Sequence, residues 1–388
     1  MSQYGFEEEL KIYLRADPGS SLPIGIAAWR DRAHEVLSEG PWGYLEGSAG
    51  LEDTTAENRR ALDQWRVRPR FGRNVEERDL SVTLFGQTWT SPLVMAPLGV
   101  QSILHPEAEH AAARAAAHLC IPFVLSTVSS VPMETIAQEM GDAPRWFQLY
   151  PSRSREVMES FIHRAEEAGY SVLMVTMDTT MLGWRVRDLK NAYLPFLQGE
   201  GIANYVTDPA FRRLLAKPPE EDPMASIQAF LSTYVNPAFS WEDLAGIRRM
   251  TRLPMVVKGL THPDDVRRAR DAGADAVVVS NHGGRQVDGA IGALDALAEI
   301  SAEPVGLPLL MDSGIRSGAD VFKALALGAQ AVLVGRPYAY GLAAAGSEGV
   351  ERVMRHLRAE FDLQMALAGY RTVREIGRHA VTRRGSRD

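Results

Sequence analysis

The feature that most constrains this chain is a rhythm of short apolar runs. They fall at residues 93–97, 122–126, 146–150, 172–178, 254–258, 276–280, 308–312 and 331–335, and stretches of helical apolar spacing separate most of them. A run too short for a helix yet apolar throughout reads as a strand buried on both faces, the condition of a parallel sheet covered by helices. Eight such strands alternating with helices predict an α/β chain folded as a (β/α)8 TIM barrel. A doubly wound sheet is the alternative, but it does not call for a polar residue at the end of nearly every strand. Here nearly every strand has one.

Residues 1–90 read as a helical lead-in packing on a barrel formed by 91–388, the two acting as one functional domain. Within the lead-in, residues 24–38 have helical spacing, 43–50 read as a glycine-rich turn, and a charged helix runs through Glu57, Asn58 and Arg59. The rhythm breaks after the fourth strand, over 191–240. A loop this long in a barrel serves as a lid, an oligomer contact or a partly disordered segment. Its Lys217–Pro223 portion reads as solvated and mobile, and its Tyr/Phe-rich flank as packing over something.

Composition excludes several classes. A net charge of −7 and a pI near 5.8 argue against general nucleic-acid binding. The single cysteine, Cys120, leaves no intrachain disulfide and no cysteine metal cluster. No metal site is expected. The acidic first residues lack the apolar core of a signal peptide, and no apolar run approaches the roughly 20 residues of a membrane helix. The expectation is a soluble cytoplasmic protein.

In parallel α/β folds ligands sit at the carboxyl ends of the strands. Those ends carry Pro97-Leu98-Gly99, Ser126, Gln148 with Tyr150, Thr176 with Asp178, Lys258, Ser280 with His282 and Arg285, Asp312 with Gly314 and Arg316, and Gly335-Arg336. Strands seven and eight both end in glycine-rich turns with an arginine, the usual phosphate corner of a barrel. A second group holds Lys258, Asp178, His282, Arg185 and Arg285. A carboxylate beside His282 would orient its ring and stabilise the imidazolium formed on proton abstraction. Two arginines suit a substrate carboxylate, and a lysine on a buried strand needs an anion near it. Taken singly, each is as readily an ordinary ion pair at the barrel mouth. Together on successive strands they point to a site.

The run Ser280-Asn-His-Gly-Gly-Arg-Gln286 closely resembles the signature of the FMN-dependent 2-hydroxy-acid oxidising enzymes. The likeness extends over residues 42–365, through Glu57-Asn-Arg59, Phe147-Gln-Leu-Tyr150, Lys258-Gly259, Asp312-Ser-Gly-Ile-Arg316 and residues 322–337. It implies FMN as cofactor, His282 as the base with Asp178 as partner, and Arg185 and Arg285 as a carboxylate clamp. Tyr44 and Tyr150 would contact the substrate, and Lys258 would sit beside flavin N1 and O2. Pro97, Leu98 and Gly99, with Ser126, Gln148, Thr176 and Ser280, would hold the flavin ring. Asp312, Gly314, Arg316, Gly335 and Arg336 would bind the ribityl chain and phosphate.

The resemblance further implies a homo-tetramer or homo-octamer, and a small 2-hydroxy acid, lactate first, oxidised with O2. Gly99 stands where alanine is usual and resembles the monooxygenase branch, whose products are acetate, CO2 and water. The long insert, including Asn204-Tyr-Val-Thr-Asp-Pro209, does so too, whereas Leu51-Glu-Asp-Thr54 departs from that branch. Without a Cβ, Gly99 would leave room at the flavin edge for a retained keto acid. The rivals are an oxidase releasing keto acid and peroxide, and, from another class, an FMN-dependent isomerase.

Overall fold

The computed structural model describes residues 3–14 and 22–385. Eight parallel strands close a barrel: β1 (Leu93–Met95), β2 (Phe123–Ser126), β3 (Arg145–Leu149), β4 (Leu173–Thr176), β5 (Met255–Leu260), β6 (Ala276–Val279), β7 (Leu309–Met311) and β8 (Ala331–Val334). Each strand pairs with the next, and β8 returns to β1 with Leu333 opposite Val94. The helices that follow them in turn are α1 (Ala108–Leu119), α2 (Met133–Met140), α3 (Arg155–Glu167), α4 (Trp241–Met250), α5 (Pro263–Asp271), α6 (Ala293–Ile300), α7 (Gly318–Ala326) and α8 (Arg336–Ala368).

Side chains alternate across each strand, and here both faces are dry. Val94, Val124, Trp146, Met174, Val256, Val278, Leu310 and Leu333 fill the barrel interior. Leu93, Met95, Phe123, Leu125, Phe147, Val175, Val257 and Val277 face the helices. The hairpin of Val82–Leu84 and Gln87–Trp89 plugs the amino-terminal end of the barrel. Its Trp89 ring lies 5.5 Å from Trp146, and Phe85 lies 5.8 Å from the same ring. With that end sealed by aromatic packing, the carboxyl ends of the strands form the open face.

The lead-in corrects one sequence expectation. Residues 43–46 are not a turn but the second half of a helix, Glu39–Glu46. Pro41 sits in its first turn, where a missing N–H costs nothing. The glycines serve close packing instead: a Cβ on Gly43 would stand 2.8 Å from the Asn191 side chain, and one on Gly47 would stand 2.4 Å from the Gly43 carbonyl. A further helix, Asp53–Gln64, leads into a short strand, Trp65–Val67, which pairs with Val381–Arg383. The buried Arg78–Asp362 pair, 2.7 Å, fastens the lead-in to α8.

The insert is also more ordered than a solvated loop. It folds into short helices ending in Pro223–Tyr234, and Phe196, Tyr205, Phe211, Phe230 and Tyr234 stack in one aromatic cluster. Asn204 is fully buried; it accepts from Met133 N at 2.9 Å and donates to Thr127 O at 3.1 Å. Within the portion read as mobile, Pro219 is buried, Glu220 pairs with Arg212 at 2.9 Å and Asp222 caps the last helix. Among the described residues no helix is long and apolar enough to cross a membrane, and no His, Cys, Asp and Glu cluster could hold a metal ion.

Candidate active site

A cleft of roughly 1110 Å³, counting its mouth, opens at the carboxyl ends of the strands. His282 stands at its centre. The chain leaves β6 through His282, Gly283 and Gly284, all at positive φ (57°, 64° and 78°). A Cβ on Gly283 would meet Arg336 at 2.8 Å and one on Gly284 would meet Thr55 at 2.3 Å, so glycine is required at both. The non-glycine His282 is held in the same strained region by bonds on each side. Its N–H donates to Ser280 Oγ at 3.1 Å and that of Gly283 to Ser313 Oγ at 2.9 Å. Asn281 pairs reciprocally with Asn58 of the lead-in at 2.9 and 2.7 Å.

Asp178 lies behind the imidazole, with Oδ1 2.7 Å from Nδ1, and Thr179 Oγ1 donates to the same oxygen at 3.0 Å. An ionised carboxylate only accepts, so Nδ1 carries the proton and Nε2 is left for the cavity. Burial pushes Asp178 up, but His282 and Lys258 outweigh it and hold the carboxyl down at about 2. Burial, resisted by Asp178, holds His282 below its ordinary value, so the ring is neutral and able to take a proton.

Lys258 Nζ lies 3.3 Å from Asp312, 3.8 Å from Asp178 and 3.0 Å from Ser280 Oγ. The anions its burial demands are therefore supplied by the protein, and they keep it charged. Burial lowers its affinity for the proton, but Asp312 and Asp178 more than offset that.

Arg185 and Arg285 meet over Tyr44, 6.0 and 4.9 Å from its ring. Burial, with Arg185 beside it, lowers Arg285 to about 9. One of its terminal nitrogens is engaged by the carbonyls of Tyr44 and Gly47, at 2.6 and 2.7 Å. A buried guanidinium beside a half-buried one, neither hydrogen-bonded to a carboxylate, forms a site short of an anion. Tyr150, pushed up to about 12 by burial, completes this wall with Tyr44.

The remaining predicted residues divide. Pro97, Leu98, Gly99, Asp312, Gly314, Arg316, Gly335 and Arg336 line the cleft. Ser126, Gln148 and Thr176 do not; they form a buried chain at the ends of β2, β3 and β4, with Gln148 accepting from Ser126 at 3.1 Å and donating to Thr176 at 3.0 Å. Ser280 is likewise buried and does not line the cleft. Arg336 spends its donors on lead-in carbonyls and on Gly283 O. Gly99 lines the cleft without a side chain of its own. An added Cβ would stand 2.5 Å from Val128 Cγ2 and 2.6 Å from Val128 O, so its missing side chain makes room for the neighbouring loop. The cleft also takes Thr179, Leu182, Val128, Ser313 and Tyr234, none of which strand-end reading singled out.

The scan against protein families matches residues 33–383 to the FMN-dependent dehydrogenase model. The chain belongs to the FMN-dependent dehydrogenase family. Members similar to it include an L-lactate oxidase of Lysinibacillus sphaericus, 42% identical with 90% of each chain covered. The FMN-dependent alpha-hydroxy acid dehydrogenase qulF of Penicillium citrinum is 44% identical, covering 90% of this chain and 88% of its own. Among solved structures, mandelate oxidase is 36% identical with a TM-score of 0.82, over 93% of this chain and 98% of that one.

The cofactor of the family is FMN, and the cleft fits it. Arg316 is half-buried in the cleft, and among the described residues its side chain makes one hydrogen bond, to Ile315 O at 2.8 Å. Burial holds it below the usual arginine value, with Arg336 adding to the effect. A cation so placed needs an anion such as a phosphate.

Proposed function

We propose that the protein oxidises an L-2-hydroxy acid, L-lactate foremost, to the 2-keto acid, with O2 as the final acceptor and hydrogen peroxide as the second product. The observation that carries this reading is the pairing of a neutral, Asp178-backed His282 with two anion-deficient arginines in one cleft. The balance is R–CH(OH)–COO⁻ + O2 → R–CO–COO⁻ + H2O2. FMN, when bound, would supply the two-electron redox chemistry between the hydroxy acid and oxygen.

The protein's own residues do the rest. Arg185 and Arg285 bind the carboxylate, which fixes the carbinol carbon before His282. His282 Nε2 takes a proton, and Asp178 stabilises the resulting imidazolium. Lys258, kept charged by Asp312 and Asp178, would hold a fixed positive charge on the side of the cleft where the flavin binds. The names of the L-lactate and 2-hydroxyacid oxidase relatives support both the substrate class and the oxidase outcome.

A second reading, the monooxygenase outcome of acetate, CO2 and water, is favoured by Tyr234. The insert sets this residue in the cleft wall against Tyr150, ring centroids 5.3 Å apart, where it would delay escape of the keto acid. One preparation tests both. L-Lactate added without air should bleach the oxidised-flavin band, and turnover in air should give pyruvate and peroxide in equal amounts. No bleaching refutes the function, and acetate in place of pyruvate selects the second reading. A homo-tetramer or homo-octamer in the cytoplasm is part of the proposal, and light scattering measures the assembly.

A further inference from the structure

Behind the cleft-lining Pro97–Gly99 loop lies a carboxyl group that the proposed reaction does not use. Glu109, on the first turn of α1, is completely buried. Its Oε1 accepts from Gln101 N at 3.2 Å and from Ser130 N at 3.1 Å, bridging the loops after β1 and β2. Its Oε2 is buried without a hydrogen-bond partner, and so is Gln101 Oε1 in the same cluster. Flipping the Gln101 amide is no remedy. Its Nε2 donates to Leu98 O at 3.1 Å and reaches Tyr338 Oη at 3.4 Å, and a flip would set a carbonyl oxygen against the Leu98 carbonyl. A buried carboxylate oxygen without a partner is costly, and a proton on Glu109 Oε2 removes the charge that the dry interior penalises.

We propose that Glu109 is a positioning residue for the FMN-facing loop 97–101 and acts as a neutral carboxylic acid. The inference rests on the reading that this loop borders FMN. Tyr338 of α8 faces the cluster and donates to Ala96 O at 2.9 Å, and burial keeps its hydroxyl neutral. Glu200 of the insert stands beyond the Ser102–Ser130 hydroxyl pair, bonded to Ser102. Neither supplies a cation to hold Glu109 ionised. Burial pushes Glu109 up to about 7, against the backbone N–H groups and the Ser129 hydroxyl that favour its charged form. The folded value therefore lies above the unfolded one. The stabilisation is complete below the ordinary 4.5 and is lost as pH rises through about 7.

The test uses the FMN-loaded protein. Infrared difference spectra between wild type and Glu109→Gln should show the carbonyl stretch of a protonated carboxylic acid, fading as pH rises through about 7. FMN affinity, followed by flavin fluorescence, should weaken roughly tenfold across that range in wild type relative to Glu109→Gln, which keeps both the acceptor and the donor. Glu109→Ala, which loses both, should release FMN at every pH. Absence of the carboxylic-acid band overturns the proposal, as does Glu109→Gln losing FMN like Glu109→Ala. A band with no pH-linked difference in FMN retention also overturns it, since the acid would then position nothing. If Glu109→Ala folds and keeps FMN unchanged, the reading of loop 97–101 as the flavin border fails instead.

Discussion

Replacing Asp178 with asparagine isolates the charge behind the base. The amide keeps the shape and can still accept from His282 Nδ1, now 2.7 Å from Asp178 Oδ1, so the ring need not turn. What disappears is the negative charge facing the imidazolium. Two unit charges about 4 Å apart interact by about 4 kcal/mol at an effective dielectric constant near 20. No other anion substitutes: Asp312 is engaged by Lys258, and Lys258 and Arg185 both disfavour a charged His282. At about 1.4 kcal/mol per tenfold, proton abstraction should slow about a thousandfold. The assay is anaerobic stopped-flow loss of the oxidised-flavin band on mixing with L-lactate. FMN content is the control, because Asp178 lies behind the cleft wall and does not line it. A reduction rate within about tenfold of wild type would remove Asp178 from the mechanism. Acid stability gives a second reading. The Asp178 carboxyl is lowered from 3.8 to about 2, so its contribution is present above 3.8 and lost as pH falls through about 2. The asparagine variant should lack that acid-side loss.

Three further outcomes are expected. Gly99→Ala should destabilise the fold by about 1–3 kcal/mol in thermal unfolding, because Val128 must shift, and should leave the ratio of products unchanged. A changed ratio at unchanged stability would restore the oxygen-side role that the bare sequence attaches to this glycine. Tyr234→Ala should open the cleft wall beside Tyr150 and speed release of the keto acid, so that any acetate made from L-lactate in air gives way to pyruvate and peroxide; product assays on both forms measure it. Lys258→Met should lower the FMN reduction potential by roughly 60–90 mV in a spectroelectrochemical titration, the equivalent of about 2.7–4 kcal/mol.

The barrel was legible because each strand is buried on both faces, and an unbroken apolar run is what that burial requires. That His282, Lys258, Arg185 and Arg285 meet in one cleft was legible because charged residues soon after such runs have few places to go except the barrel mouth. Other features left no local mark. Residues 43–46 look like a turn in composition, and only contact with Asn191 and Arg187 explains why glycines stand inside a helix. Tyr234 reaches the cleft from an insert whose path is set by aromatic stacking among residues far apart in sequence. Gly99 was read from its place beside the flavin edge, but the direction its absent side chain would take is fixed by Val128. The unpartnered oxygens of Glu109 and Gln101 have no sequence signature at all.

The arginines at the barrel mouth also hold the lead-in. Arg285 and Arg336 donate to the carbonyls of Tyr44, Leu45, Glu46 and Gly47, the last turn of the Glu39–Glu46 helix and the residue after it. Cations belong at that end of a helix, where carbonyls lack partners. For anyone trimming the protein to a bare barrel, this sets a limit. Cutting away the first 90 residues would remove the carbonyl acceptors of Arg285 and leave Arg336 only its bond to Gly283 O. Barrel engineering on this scaffold should therefore keep the lead-in and vary the insert, whose Pro223–Tyr234 helix ends on the cleft without carrying its charges.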